Sequence, residues 1–87
     1  MVYEIKNGIG NIKEYYYNGK LKFEGEYLNG ERNGKGKEYY KYGKLIFEGE
    51  YLNGERNGKG KIYSYYPRSG MLFKIIEVEY LNGKISQ

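Results

Sequence analysis

The chain contains no cysteine, histidine, aspartate, alanine or tryptophan, and one proline among its 87 residues. Without cysteine there is no disulfide framework, no thiol chemistry and no thiolate metal site. The further loss of His and Asp removes most triads, metal clusters and acid–base pairs at once. Glu, Lys, Tyr, Arg and Ser remain as reactive groups. No apolar run reaches the length of a membrane-spanning helix, and Met1 to Gly8 carries no apolar stretch of signal-peptide length. A soluble chain of the cytoplasm is therefore expected. Net charge is small as well: 15 Lys and Arg against 11 acidic residues leave +4. The two signs are interleaved, which reads first as a solvated, salt-bridged face.

What the chain does have is 13 Tyr, 3 Phe and 14 Gly. Tyr-rich runs broken by Gly and Asn predict an all-β domain with short turns, and 87 residues allow one domain at most. The stretch Phe23 to Lys37 returns 24 residues later as Phe47 to Lys61 without one change. A fixed period of this length signals a repeat architecture. The division follows: a partial first copy over 1–22, full copies over 23–46 and 47–70, and a degenerate C-terminal cap over 71–87. In the first copy Lys6-Asn7-Gly8-Ile9-Gly10 echoes Arg32 to Gly36. In the cap Ile75, Ile76 and Val78 suit the role of a closing strand.

Within the unit, Phe23, Gly25, Tyr27, Gly30, Gly34 and Gly36 follow an aromatic-x-Gly-x-aromatic-x-x-Gly-x-x-x-Gly-x-Gly pattern. This resembles the MORN repeat (membrane occupation and recognition nexus), including the variant units of small bacterial proteins resembling the YwqK antitoxin family. The resemblance implies an antiparallel β-hairpin meander forming one elongated twisted sheet, used as a binding surface. It also implies two kinds of partner, another protein or phospholipid head groups.

Strands are predicted near 10–17, 20–28, 35–41, 44–52, 59–66 and 71–80. Asn18-Gly19 is the strongest two-residue turn signal, since both residues tolerate positive φ; Tyr42-Gly43 holds the same place and predicts a looser turn. Asn29 to Gly34, repeated as Asn53 to Gly58, reads as a wider six-residue loop. Folding about it sets Leu28 opposite Lys35, Tyr27 opposite Gly36, Glu26 opposite Lys37 and Phe23 opposite Tyr40. Folding about Tyr42-Gly43 sets Lys37 opposite Glu48, Lys35 opposite Glu50 and Tyr40 opposite Leu45. One face then carries Phe23, Tyr27, Tyr40, Leu45, Phe47 and Tyr51 with Gly25, Gly36 and Gly49. The other carries the Glu and Lys residues with Tyr39 and Ile46. Aromatic rings lying over strand glycines would recover the burial that glycine forfeits.

No catalytic, metal or cofactor site is expected. The Glu residues recur with the repeat opposite Lys, so a glycosidase-like carboxylate pair is outweighed by a structural role. Gly34-Lys35-Gly36-Lys37 lacks the spacing and the following helix of a phosphate loop. Binding readings remain. A thin sheet with an uncovered Tyr/Phe ribbon predicts a protein-interaction module, with Tyr27, Tyr40, Phe47 and Tyr51 as anchors and Arg32 and Arg56 setting orientation from the loops. The small size suits an inhibitor or antitoxin-type protein, and self-association is a further option. The alternative is phospholipid or nucleic-acid binding through Lys35, Lys37, Lys59 and Lys61.

Overall fold

The structure is a computed structural model that describes residues 2–6 and 9–86, with side chains from residue 10 onward. Asn7 and Gly8, part of the echo that opens the partial first copy, lie outside the described residues. Eight strands follow one another in a single antiparallel sheet: β1 (Val2–Lys6), β2 (Ile9–Tyr15), β3 (Leu21–Leu28), β4 (Glu31–Tyr39), β5 (Leu45–Leu52), β6 (Glu55–Tyr65), β7 (Leu72–Leu81) and β8 (Lys84–Ile85). The six expected strands are β2 to β7; β1 and the two-residue β8 are additions. No helix occurs among the described residues. The all-β hairpin meander is as the sequence implies.

The turns exchange roles with those expected. Asn29-Gly30, Asn53-Gly54 and Asn82-Gly83 are the tight two-residue hairpins, with φ of 49° and 85° at the first pair, 51° and 86° at the second, and 49° and 86° at the third. Positive φ at both central residues is what a right-twisted hairpin needs, and Asn-Gly supplies it. The wide loop is thus absent, and Glu31 to Gly34 belongs to β4. At Asn18-Gly19 and Tyr42-Gly43 only the glycine takes positive φ, 84° and 101°. Tyr16 and Tyr40 each close these turns identically, with Tyr16 N–H donating to Lys20 O and Tyr40 N–H to Lys44 O. Tyr42 therefore carries no strain, and the two turns are of one kind.

The shorter turn corrects the register. Gly25 faces Gly36, Glu24 faces Lys37, Phe23 faces Glu38 and Tyr27 faces Arg32. The expected pairing of Glu26 with Lys37 is off by two residues, because a two-residue shift keeps both faces and still sets Glu opposite Lys. Charge matching cannot separate the two registers, whereas turn chemistry does. The extra residues of β4 bulge around Gly34, at φ 102°. There Glu26 Oε1 accepts a 2.6 Å hydrogen bond from the Lys35 N–H. Across β4 and β5 the expected pairs Lys35–Glu50 and Lys37–Glu48 hold, but Tyr39 rather than Tyr40 faces Leu45.

The core sits on one face and is small: Ile12, Phe23, Phe47, Tyr51 and Tyr80 are buried. It consists of rings over glycines. A Cβ on Gly36 would lie 2.7 Å from the Phe23 ring, and one on Gly60 would lie 2.5 Å from the Phe47 ring. Phe23 and Phe47 also cover the glycine two residues on in their own strand, Gly25 and Gly49. Tyr51 wedges edge-on between the two, with centroids at 5.3 Å from Phe23 and 5.8 Å from Phe47. Such contacts add about 0.5–1.5 kcal/mol each beyond area burial. In β7, Val78 packs against this core while Ile75 and Ile76 stay exposed, so they do not close the stack as expected.

A candidate binding groove with alternating charge

On the aromatic face, the polar partners come from residues that the sequence reading placed elsewhere. Arg32 and Arg56 were expected in loops at the sheet edge. They lie instead in β4 and β6, each guanidinium 4.1 Å from the centroid of a Phe ring, Phe23 and Phe47 respectively. Arg32 forks onto Glu14 with two 3.0 Å hydrogen bonds, and Arg56 forks onto Glu38 at 2.9 and 3.1 Å. Tyr27 donates its hydroxyl to Glu14, and Tyr51 donates to Glu38. Burial raises the Glu14 and Glu38 carboxyls, but the hydrogen bonds from Arg and Tyr outweigh it and hold both below the usual range. The same burial and bonding push the Tyr27 and Tyr51 hydroxyls up.

The aromatic candidates are therefore committed to the fold. Phe47 is fully buried and Tyr51 is 4% exposed, which contradicts a ribbon of exposed anchors. Tyr27 is half-buried against Glu14. Tyr40 alone of the four is presented, at 44% exposure, edge-on to Tyr65. The layer that covers the rings is the Arg–Glu–Tyr lattice. Its sequence signal was the recurrence of Glu14 as Glu38, 24 residues on, in step with Tyr27/Tyr51 and Arg32/Arg56.

The opposite face is open. The row Ile12, Gly25, Gly36, Gly49, Gly60 and Val78 runs straight across β2 to β7, one residue per strand. Its side-chain direction is toward the rings, so on the open face this row is bare backbone. It forms the floor of a groove about 24 Å long, five strand spacings of ~4.8 Å. The open cavity above it measures about 1580 Å³. Along one wall, Lys13, Glu24, Lys37, Glu48, Lys61 and Glu77 face one another in turn, alternating in sign at every strand. Along the other stand Glu26, Lys35, Glu50, Lys59 and Glu79.

All four candidate anion-binding lysines, Lys35, Lys37, Lys59 and Lys61, thus lie in one groove, each flanked by Glu. Among the described residues the ion pairs within 4 Å are Arg32–Glu14 and Arg56–Glu38. The groove charges are neighbours in register, not closed salt bridges, so the expected salt-bridged face is a face of solvated, separate charges. Three acids are held in place: Tyr39 donates to Glu24 at 2.6 Å, Tyr63 donates to Glu48, and the Lys35 N–H donates to Glu26. Burial first, then this bond, raises the Tyr39 hydroxyl, while the Glu48 bond pushes Tyr63 up to about 12. A single-sign ligand meets repulsion at every second strand here. A ligand with both signs meets a partner at each.

No group of acidic residues that could hold a metal occurs among the described residues. No helix among them is long and apolar enough to cross a membrane. No curated protein and no solved structure matches the chain. Residues 23–44 and 47–65 match the model of the MORN repeat family. MORN repeats are generally associated with binding to proteins or membranes. Over residues 23–44 and 47–65, which carry β3 to β6 at the middle of this groove, the hairpins are MORN repeats.

Proposed function

We propose that the protein is a non-enzymatic module that binds a segment of another protein in the glycine-floored groove. The observation that carries this reading is the alternation of Lys and Glu across six consecutive strands. Such a surface rewards a partner of matching alternation and penalises polyanions, because like charges brought together cost specificity and on-rate. A two-unit array of this size suits stoichiometric blockade of one target, as an inhibitor or antitoxin would act, in the cytoplasm. The partner anchors are then Lys35, Lys37, Lys59 and Lys61 with their Glu neighbours, in place of Phe47 and Tyr51. Arg32 and Arg56 contribute by fixing the sheet.

A selection from displayed random dodecapeptides tests this. Recovered peptides are expected to carry both signs of charge. Their affinity should fall about two- to tenfold for Lys37→Ala/Lys61→Ala and likewise for Glu24→Gln/Glu48→Gln, the range of one or two rim charge pairs. Peptides of acidic residues only, indifferent to the Glu variant, would sink the reading.

A further inference from the structure

Six of the fifteen cations lie at one end of the sheet, where the β2/β3, β4/β5 and β6/β7 turns stand side by side. Residues 15–22, 39–46 and 63–75 contain Lys20, Lys22, Lys41, Lys44, Arg68 and Lys74 and not one acidic residue. These six exceed the net charge of the whole chain, +4, so the remainder is net negative, nine cations against eleven acids. The three turns are strapped into a row. Tyr16 Oη donates to Tyr39 O at 2.6 Å and Asn18 Nδ2 to Lys41 O at 2.7 Å. Lys44 Nζ donates to Gly70 O at 2.6 Å and Tyr65 Oη to Leu45 O at 2.8 Å.

Each turn presents a tyrosine that the core does not use: Tyr17 is fully exposed, Tyr42 is 76% exposed and Tyr66 is 52% exposed. Between the first two turns lies a shallow cleft of about 350 Å³, lined by Tyr16, Tyr17, Asn18, Lys41 and Tyr42. Asn18 is engaged by Lys41 O of the next turn and by the Lys20 N–H, which leaves rings and a lysine to meet a ligand. Lys41 Nζ stands 5.4 Å from the Tyr42 ring centroid, so the cation and the ring can be used together.

We infer that this row of turns binds single-stranded nucleic acid, with bases stacked on Tyr17 and Tyr42 and phosphates on the flanking lysines. Cationic tracks with aromatic platforms are the working parts of strand binding without sequence preference. An anionic bilayer shares the charge requirement, but the large apolar side chains exposed at the first two turns, which form the cleft, are tyrosines, while the exposed Met71, Leu72 and Phe73 belong to the third turn. An acidic peptide would leave the rings idle. The site is separate from the groove, whose interleaved Glu residues repel phosphate, and stands or falls without it.

Fluorescence anisotropy with labelled (dT)12 and (U)12 tests the inference, at 50 and 200 mM NaCl. Both strands are expected to bind, and the affinity to fall about twentyfold over that range if three phosphates are engaged at a slope of ~0.7 each. Tyr17→Ala/Tyr42→Ala should weaken binding by about tenfold or more, as loss of a stacking platform does. Lys20→Glu/Lys41→Glu should abolish it, and Lys35→Ala/Lys59→Ala should leave it unchanged. The tyrosine pair is exposed, and circular dichroism checks that the variants keep the fold. Absence of strand binding at 50 mM, an unaffected tyrosine variant, or tighter binding of phosphatidylserine vesicles, polyglutamate or duplex DNA would each overturn it.

Discussion

Replacing Gly36 by alanine adds one methyl group where two aromatic rings already crowd the backbone. Its Cβ would lie 2.7 Å from two carbons of the Phe23 ring and 3.0 Å from the Tyr51 ring. Carbon–carbon contacts relax only at about 3.5–4.0 Å, so the ring must retreat by roughly 1 Å. Phe23 cannot retreat freely, because it is fully buried and the Arg32 guanidinium lies 4.1 Å above it. Overpacking of this kind costs about 1–3 kcal/mol, partly offset by the 0.5–1 kcal/mol or so that alanine regains over glycine in a strand. The net expectation is a loss of about 1–2 kcal/mol, or roughly 4–16 °C in Tm for a domain of this size. Gly25→Ala should cost more, since its Cβ meets backbone, Gly36 Cα at 2.5 Å and Lys35 O at 2.6 Å, which no rotamer relieves. The decisive measurement is a double-mutant cycle by urea and thermal unfolding. In a Phe23→Leu background the ring is gone, and Gly36→Ala should become cheaper by about 1 kcal/mol, a coupling typical of residues in contact. Additivity within about 0.3 kcal/mol, or a Gly36→Ala protein that melts with the wild type, would refute the ring-over-glycine account.

Two further outcomes follow from the Arg–Glu–Tyr lattice. Glu14 and Glu38 are held below the usual carboxylate range, so the unfolded chain takes up their protons more readily than the native one. The stability they contribute is present above about pH 4.3 and is lost as pH falls through the lowered values. Glu38→Gln should flatten the acid limb of a Tm-against-pH curve, and an unchanged limb would contradict the assignment. Arg56→Lys keeps the charge but loses the fork onto Glu38 and the bond from Nη1 to the Tyr80 hydroxyl. It should lower stability in urea melts by about 1.5–3 kcal/mol, the scale of a charge-assisted hydrogen bond, whereas Lys37→Ala should cost under about 1 kcal/mol.

Much of the fold was legible because its determinants are local or periodic. The repeat of Phe23 to Lys37, the Asn-Gly pairs and the alternation of ring and charge fix the six central strands, their order and their faces, and the rings do lie over Gly25, Gly36 and Gly49. What was not legible depended on a choice between equivalent patterns. Asn29 to Gly34 contains two Asn-Gly pairs, and only the first makes the turn while the second makes a bulge; the register moved by two residues with that choice. The burial of Phe47 and Tyr51 was hidden because a single-layer sheet gives no hint of a lid. The lid is made of charged side chains, Arg32 and Arg56, whose stems and planar heads cover rings as well as aliphatic residues do. Half of the candidate site was visible as lysines. The acids beside them were read as neutralisers, yet they share the groove walls.

The lattice also has a consequence for how the two copies find their places. Phe23 to Lys37 and Phe47 to Lys61 are interchangeable in every hairpin contact, so a chain slipped by 24 residues would look correct to itself locally. The first position at which the copies differ is Glu38 against Ile62. Glu38 takes the arginine of the copy that follows it, while Ile62 faces Ile76 and can take none. That one difference works as an address. It tells a hairpin whether another arginine-bearing copy comes next, and makes the ordered arrangement lower in energy than its translated twin.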